Sequence, residues 1–240
     1  MNRLEDMHIH TTFSDGEATV EEVVTRAEAL GLERICIVDH VWRTTRWLGE
    51  WRDAVRLARR HRGVEVALGV EAKLLDSSGT LDLPPLPEGI DYIYVADHQW
   101  PLGDGILPPR LIRERLGRGD LDPDALIACL TRAYRGAVRR HPRVVLAHPF
   151  SILPKVGISE DRIDRRDLAH LVEVVAEEGA RIEISERWRC PSPRTTAAFL
   201  DAGVPVFWST DSHDLPSLGR YGYVPRTWNE AGSANLRRAS

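Results

Sequence analysis

Short runs rich in β-branched and aromatic residues recur along the chain, and between them apolar residues fall every three or four positions. ERICIVDH (33–40), VEVALGVEAKLL (64–75), DYIYVADH (91–98), RVVLAHPF (143–150), ARIEISE (180–186) and VPVFWSTDSH (204–213) read as buried strands. The segment MHIH near the start reads as one more. The helical stretches lie between them. TVEEVVTRAEALG has Thr19 and Glu22 in capping-box spacing, an apolar stripe of Val20, Val23, Val24 and Ala27, and Gly31 as its stop. WRDAVRLARRH (51–61) is a second helix. Asp122 and Pro123 open a third, which runs to about Arg140. A fourth spans Asp167 to Glu178, and Ser192 and Pro193 open a fifth that closes at Gly203. Strands separated by helices imply parallel βα units, in a barrel or an open sheet. Segments 41–50 and 99–122 read as long loops. They carry Trp42, Trp47 and Trp100, and are expected to fold over the strand ends and enclose a pocket.

Charged residues and histidines gather where these strands end. The first strand carries His8 and His10, which at i and i+2 face one way. The next ends in His40, the third carries Glu71, the fourth ends in His98 and the fifth in His148. Glu183 lies within the sixth, and the seventh ends in Asp211 and His213. Alone, a His or Asp at a strand end is an ordinary loop or cap residue. Six of the nine histidines in this one kind of place form a cluster. The other three, His61, His141 and His170, fall in or at the ends of helices.

Composition narrows the function classes. The formal net charge is −4, which argues against holding nucleic acid mainly through a basic surface. No apolar run approaches a membrane span, and the opening residues lack a secretory signal. Cys36, Cys129 and Cys190 are odd in number and scattered, without CxxC spacing. A cytoplasmic, reduced location is the expectation, with no membrane partner. Residues 1–240 show no linker or repeat and read as one domain, the last 15 or so as a polar tail.

The ordered set DMHIHTTFSDG, IVDH, GVE, ADH, AHP and TDSH resembles the successive motifs of the PHP (polymerase and histidinol phosphatase) family, in its phosphoesterase branch. Val38 stands where that family usually has a threonine before the Asp-His pair. The resemblance implies a distorted seven-stranded (β/α)7 barrel, TIM-like, with its site at the C-terminal strand ends. It further implies a trinuclear centre of two to three divalent transition metals, zinc, manganese or iron. Carried over by position, His8, His10, Glu71 and Asp211 would hold one ion. Glu71, His98 and His148 would hold a second, and Asp15, His40 and His213 a third. Glu71 would bridge two ions about 3.5–4 Å apart, with Glu71, Asp211 and His213 as the catalytic residues. Asp6 and Glu183 are candidates to support ligand imidazoles from behind.

Three divalent ions against three carboxylates leave a pocket of about +3, suited to phosphate. Hydrolysis by a metal-bridging hydroxide then needs no protein nucleophile. Arg43, Arg46, Arg187 and Lys73 are candidates to bind the rest of the substrate. The expected function is a phosphomonoesterase acting on a small phosphorylated metabolite. A PHP-type exonuclease or nucleotide phosphodiesterase is the first alternative, and a non-catalytic interaction module the second.

Overall fold

The structure is a computed structural model that describes residues 4–60, 63–103 and 105–238, with side chains of the last helix as far as residue 233. His61 lies outside the described residues. The chain runs β1 (Glu5–Ile9), α1 (Val20–Ala29), β2 (Arg34–His40), α2 (Leu48–Ala58), β3 (Glu65–Lys73) and β4 (Tyr92–Ala96). It continues with β5 (Trp100–Leu102), β6 (Gly105–Leu107), α3 (Pro109–Gly117), α4 (Pro123–Arg140) and β7 (Val144–Leu146). Then come α5 (Ile152–Lys155), α6 (Arg165–Glu177), β8 (Arg181–Ser185), α7 (Pro193–Asp201), β9 (Val206–Ser209) and α8 (Tyr223–Arg238).

The seven expected strands form one parallel sheet in the order β1-β2-β3-β4-β7-β8-β9. It curls into a nearly closed barrel, because Ile9 bridges to Ser212 just past β9 and the His10 amide donates to the Ser212 carbonyl at 2.9 Å. Asp6 reinforces the seam. It accepts from the Thr210 amide at 2.9 Å and hydroxyl at 2.5 Å, and from the Gly219 amide at 3.0 Å. Asp6 therefore ties the loop after β9, and among the described residues its hydrogen bonds go to Thr210 and Gly219 rather than to the imidazole expected from the sequence. The register of β1 shifts between Asp6 and Ile9, so counting by twos from His8 does not place Asp6.

Strand parity divides the core. Met7, Cys36, Val38, Ala67, Tyr94, Ala96, Val145, Ala147 and Phe207 fill the barrel, while the larger cluster lies between strands and helices. Tyr94 donates its hydroxyl to the Met7 carbonyl inside the barrel. Gly69 makes room for that ring, since a Cβ there would stand 2.8 Å from Tyr94 Cε2 and 3.0 Å from Val38 Cγ2.

The caps follow the sequence. Thr19 and Glu22 form the reciprocal capping box, Gly31 takes φ +69°, and Asp122 accepts from the Asp124 amide. The long segments differ from expectation. Residues 48–50 are already the first turn of α2, and 99–122 contains the β5–β6 hairpin and α3. Trp100 is wholly buried in the outer core, so it does not cover the strand ends. The expected tail is α8, whose Val224, Thr227 and Ala231 are buried, an apolar face hidden by the polar average of the segment.

Candidate metal centre

Eight of the nine expected ligands converge at the C-terminal mouth of the barrel with one carboxylate at the middle; the ninth, Asp15, arrives from the loop after β1. Glu71 is 2% exposed. Its Oε1 lies 2.9 Å from His148 Nε2 and 3.2 Å from His98 Nε2. Its Oε2 lies 2.8 Å from His40 Nδ1 and 3.6 Å from Nε2 of both His8 and His10. Asp211 Oδ1 stands 3.1 Å from His10 Nε2. Asp15 Oδ2 lies 3.4 Å from Nε2 of both His40 and His213. The Asp15 side chain is 52% exposed, so the mouth opens to solvent there.

Three overlapping groups each keep one ligand atom per residue within 4.8 Å: His8, His10 and Asp211; His40, Glu71 and His98; and His10, Asp15, His40 and His213. His10 and His40 each enter two groups. The expected partition gave His40 to Asp15 and His213 alone, yet its nearest carboxylate is Glu71.

Backbone bends bring two of these residues over the mouth. His148 has φ +29° and Asp211 φ +53°, values unusual for residues with side chains. The groups behind them hold the rings. His8 Nδ1 donates to Glu183 Oε2 at 2.9 Å, and the His148 amide to Glu183 Oε1 at 2.7 Å. Glu183 thus lies behind both His8 and His148. Asp97 accepts from the Ser151 hydroxyl at 2.6 Å, which leaves Ser151 Oγ to accept from His148 Nδ1 at 3.1 Å. Both arrangements put a proton on Nδ1 and aim Nε2 at Glu71, so Nε2 is the nitrogen that would offer its lone pair to a cation.

Several supporting residues escaped the sequence reading. Asp39, wholly buried, accepts from the Thr11 amide and hydroxyl, the Ser14 hydroxyl and Trp51 Nε1, and so pins the loop that carries Asp15. Asp39 and Asp97 each precede a cluster histidine in IVDH and VADH, a signal that was present. Trp188 Nε1 donates to Asp211 Oδ2 at 2.6 Å, and Lys155 Nζ stands 3.8 Å above its ring. No sequence pattern marks that pair.

The candidate substrate residues divide. Arg187 Nη1 is 2.7 Å from His213 Nδ1 and 3.3 Å from the Asp211 carbonyl, inside the cluster. Lys73 pairs with Asp82 at 3.5 Å, and the Arg43 amide donates to the same carboxylate. Arg43 and Arg46 are exposed on the surface of their loop. Trp42 is 43% exposed, 6.2 Å from His40 between ring centroids.

Charge couples the cluster tightly. Burial lowers His40 and His148, but Glu71 with Asp15 in the first case, and Asp97 with Glu71 in the second, push each up to about 10. His8 is raised despite burial by Glu183 and Glu71. Burial wins at His10, which is lowered. Burial would raise Glu71, yet His98, His40 and His8 hold it well below the carboxylate range.

The residues fit divalent cations. His8 Nε2, both nitrogens of His10, Glu71 Oε2 and Asp211 Oδ1 are buried without a hydrogen bond. Such atoms are costly unless something positive lies among them. The donors are imidazole nitrogens and carboxylate oxygens, the set that zinc, manganese and iron accept.

A nearly closed parallel barrel with a histidine and carboxylate cluster at its C-terminal mouth defines the class. Residues 6–148 match the family model of the PHP domain. The chain belongs to the PHP domain family, a class of metal-dependent phosphoester hydrolases. It is 25% identical over 236 residues to a protein of Acetivibrio thermocellus named "Probable phosphatase", covering 94% of this chain and 86% of that one. It is 30% identical over 120 residues to one of Thermotoga maritima named "Probable histidinol-phosphatase", covering 47% of this chain and only 46% of that one. The solved histidinol phosphate phosphatase of Lactococcus lactis, in complex with zinc, L-histidinol and phosphate, shares the fold. Its TM-score is 0.65 at 16% identity, over 98% of this chain and 92% of that one.

Proposed function

We propose that this chain is a phosphomonoesterase of a small phosphorylated metabolite. His8, His10, Asp15, His40, Glu71, His98, His148, Asp211 and His213 would hold its two to three divalent transition ions. The buried atoms of His8, His10, Glu71 and Asp211 that lack hydrogen bonds carry this reading. Ions bound there would supply Lewis acidity toward phosphoryl oxygens and a hydroxide nucleophile at neutral pH.

The protein's own part is positioning. Glu71 presents one oxygen to His98 and His148, the other to His8, His10 and His40, so a single fixed carboxylate organises five imidazoles. Glu183 and the Asp97–Ser151 pair keep His8 and His148 in the ligand tautomer. A guanidinium only donates, so the Arg187 contact makes His213 Nδ1 an acceptor and places its proton on Nε2, toward Asp15. Ligation through Nε2 requires the other tautomer, whose Nδ1–H donates to the Asp211 carbonyl at 3.1 Å. Arg187 is then released to bind a phosphoryl oxygen.

The monoester is favoured over a nucleic-acid strand on charge. Arg110 is spent on Glu114 along α3 at 2.7 Å, and the chain is acidic overall. Among the described residues no helix is long and apolar enough to cross a membrane. The test compares a panel of phosphomonoesters with short single-stranded oligonucleotides, on manganese- and zinc-loaded protein. Phosphate release from one or more monoesters is expected. Stepwise shortening of oligonucleotides with no release from any monoester would promote the nuclease.

A further inference from the structure

The opposite end of the barrel holds a second cluster, made of arginines. Arg34 opens β2 and Arg181 opens β8, with the parity of Cys36 and Glu183, which point into the barrel. Arg143 directly precedes β7 and Arg59 follows α2. With Glu65, Asp91 and Tyr92 they line a cleft of about 550 Å³ at the N-terminal strand ends. The metal centre lies at the other end, with the interior layer of Cys36, Ala67, Tyr94 and Val145 between.

Part of this charge is already matched. Arg59 pairs with Asp91 and donates to the Val66 carbonyl at 2.7 Å. Arg34 Nη2 donates to the Tyr92 hydroxyl oxygen at 2.9 Å, and its Nε stands 3.4 Å from Glu65. The other two guanidiniums pair with no carboxylate among the described residues. Arg181 lies over the rings of Tyr92 and Phe207, at 5.2 and 5.8 Å, and its hydrogen bond is a 3.4 Å contact to the Gly179 carbonyl. Arg143 is exposed, with no side-chain hydrogen bond or ion pair among the described residues. The lining therefore carries four guanidiniums against two carboxylates. Tyr92 accepts from Arg34, so its own hydroxyl proton is free to donate.

The geometry points to a binding site for a small polyvalent oxyanion at the N-terminal mouth of the barrel, held by Arg143, Arg181 and Arg34 with the Tyr92 hydroxyl. Planar guanidiniums bind phosphate and carboxylate oxygens in pairs, and the aromatic rings hold Arg34 and Arg181 in place beforehand. The site stands on its own residues, whatever substrate the metal centre takes.

The test uses metal-loaded protein with labelled arginine side chains. Sulfate, inorganic phosphate and succinate are titrated separately while the Nε–H signals are followed by NMR. Sulfate is expected to shift the signals of Arg34, Arg143 and Arg181 together and saturably. Arg143→Gln and Arg181→Gln should each weaken that binding about tenfold, the effect of one charged hydrogen-bond pair. Their catalytic rates should stay within about twofold of the parent, because neither residue is near the metal centre. Arg143 has no side-chain partner to lose among the described residues, so its variant reports even if Arg181→Gln fails to fold. Succinate binding at the same signals assigns oxyanions in general, and its failure beside sulfate and phosphate assigns tetrahedral ones. A shift that grows linearly without saturation, or an unchanged affinity in Arg143→Gln, overturns the site.

Discussion

Glu183 joins two parts of the centre that are far apart in the chain: Oε2 accepts from the ring of His8 at 2.9 Å, and Oε1 from the backbone amide of His148 at 2.7 Å. One buried carboxylate therefore sets the tautomer of the first residue and braces the left-handed turn of the second. Glu183→Gln replaces an acceptor-only group with one that also donates. Affinity for zinc should fall about 10- to 100-fold in competition with a chelator. An unchanged affinity would show that the contact does not orient His8.

Glu71→Gln should be the more damaging change, since both oxygens face imidazoles. Metal analysis should find fewer ions per chain, and phosphatase turnover should fall by at least about a hundredfold, the upper end for losing a supporting group. Full metal content with near-normal turnover would remove Glu71 from the centre.

The metal-free protein should have an inverted pH profile. His40 and His148, raised from 6.5 to about 10, contribute stability that is complete below 6.5 and drains away as pH rises through about 10. Glu71 and Asp211 lie below their ordinary values of 4.5 and 3.8, so their contribution is present above those values and is lost in acid. The Tm of stripped protein should peak between about pH 5 and 6 and decline toward pH 10. Cations displace these protons, so metal titration at pH 7 should release protons, read as a buffer-dependent calorimetric heat. A Tm that climbs toward pH 10 in stripped protein would contradict the charge assignment.

Gly69→Ala tests the packing beneath the centre. The new Cβ would press on Tyr94 Cε2 and Val38 Cγ2, both on neighbouring strands. Tyr94, whose ring centroid lies 4.9 Å from that of His8, would leave the Met7 carbonyl. Chemical denaturation should give a loss of about 1–3 kcal/mol. A change under about 0.5 kcal/mol, within the range of surface substitutions, would mean that the interior yields more freely than this packing implies.

The sequence by itself determined the strands and their parallel course, and it offered candidates for the residues of the centre. Each rests on local chemistry: strand alternation, the Thr19–Glu22 box, the Asp122–Pro123 start, and histidines at strand ends that few other roles explain. Parity also placed Glu183 inside the barrel, because β8 keeps an unbroken register against β9. The register of β1 shifts between Asp6 and Ile9, and a shift leaves no mark in the residues themselves. The partners of the centre were decided only by the tertiary structure. Trp188 reaches Asp211 across 23 residues and Asp39 reaches Trp51 across 12, by hydrogen bonds that no spacing encodes. Barrel closure also decided that one end gathers imidazoles and carboxylates while the other gathers guanidiniums. Strand alternation tells inward from outward, but only the ring of neighbouring strands sets which inward residues meet.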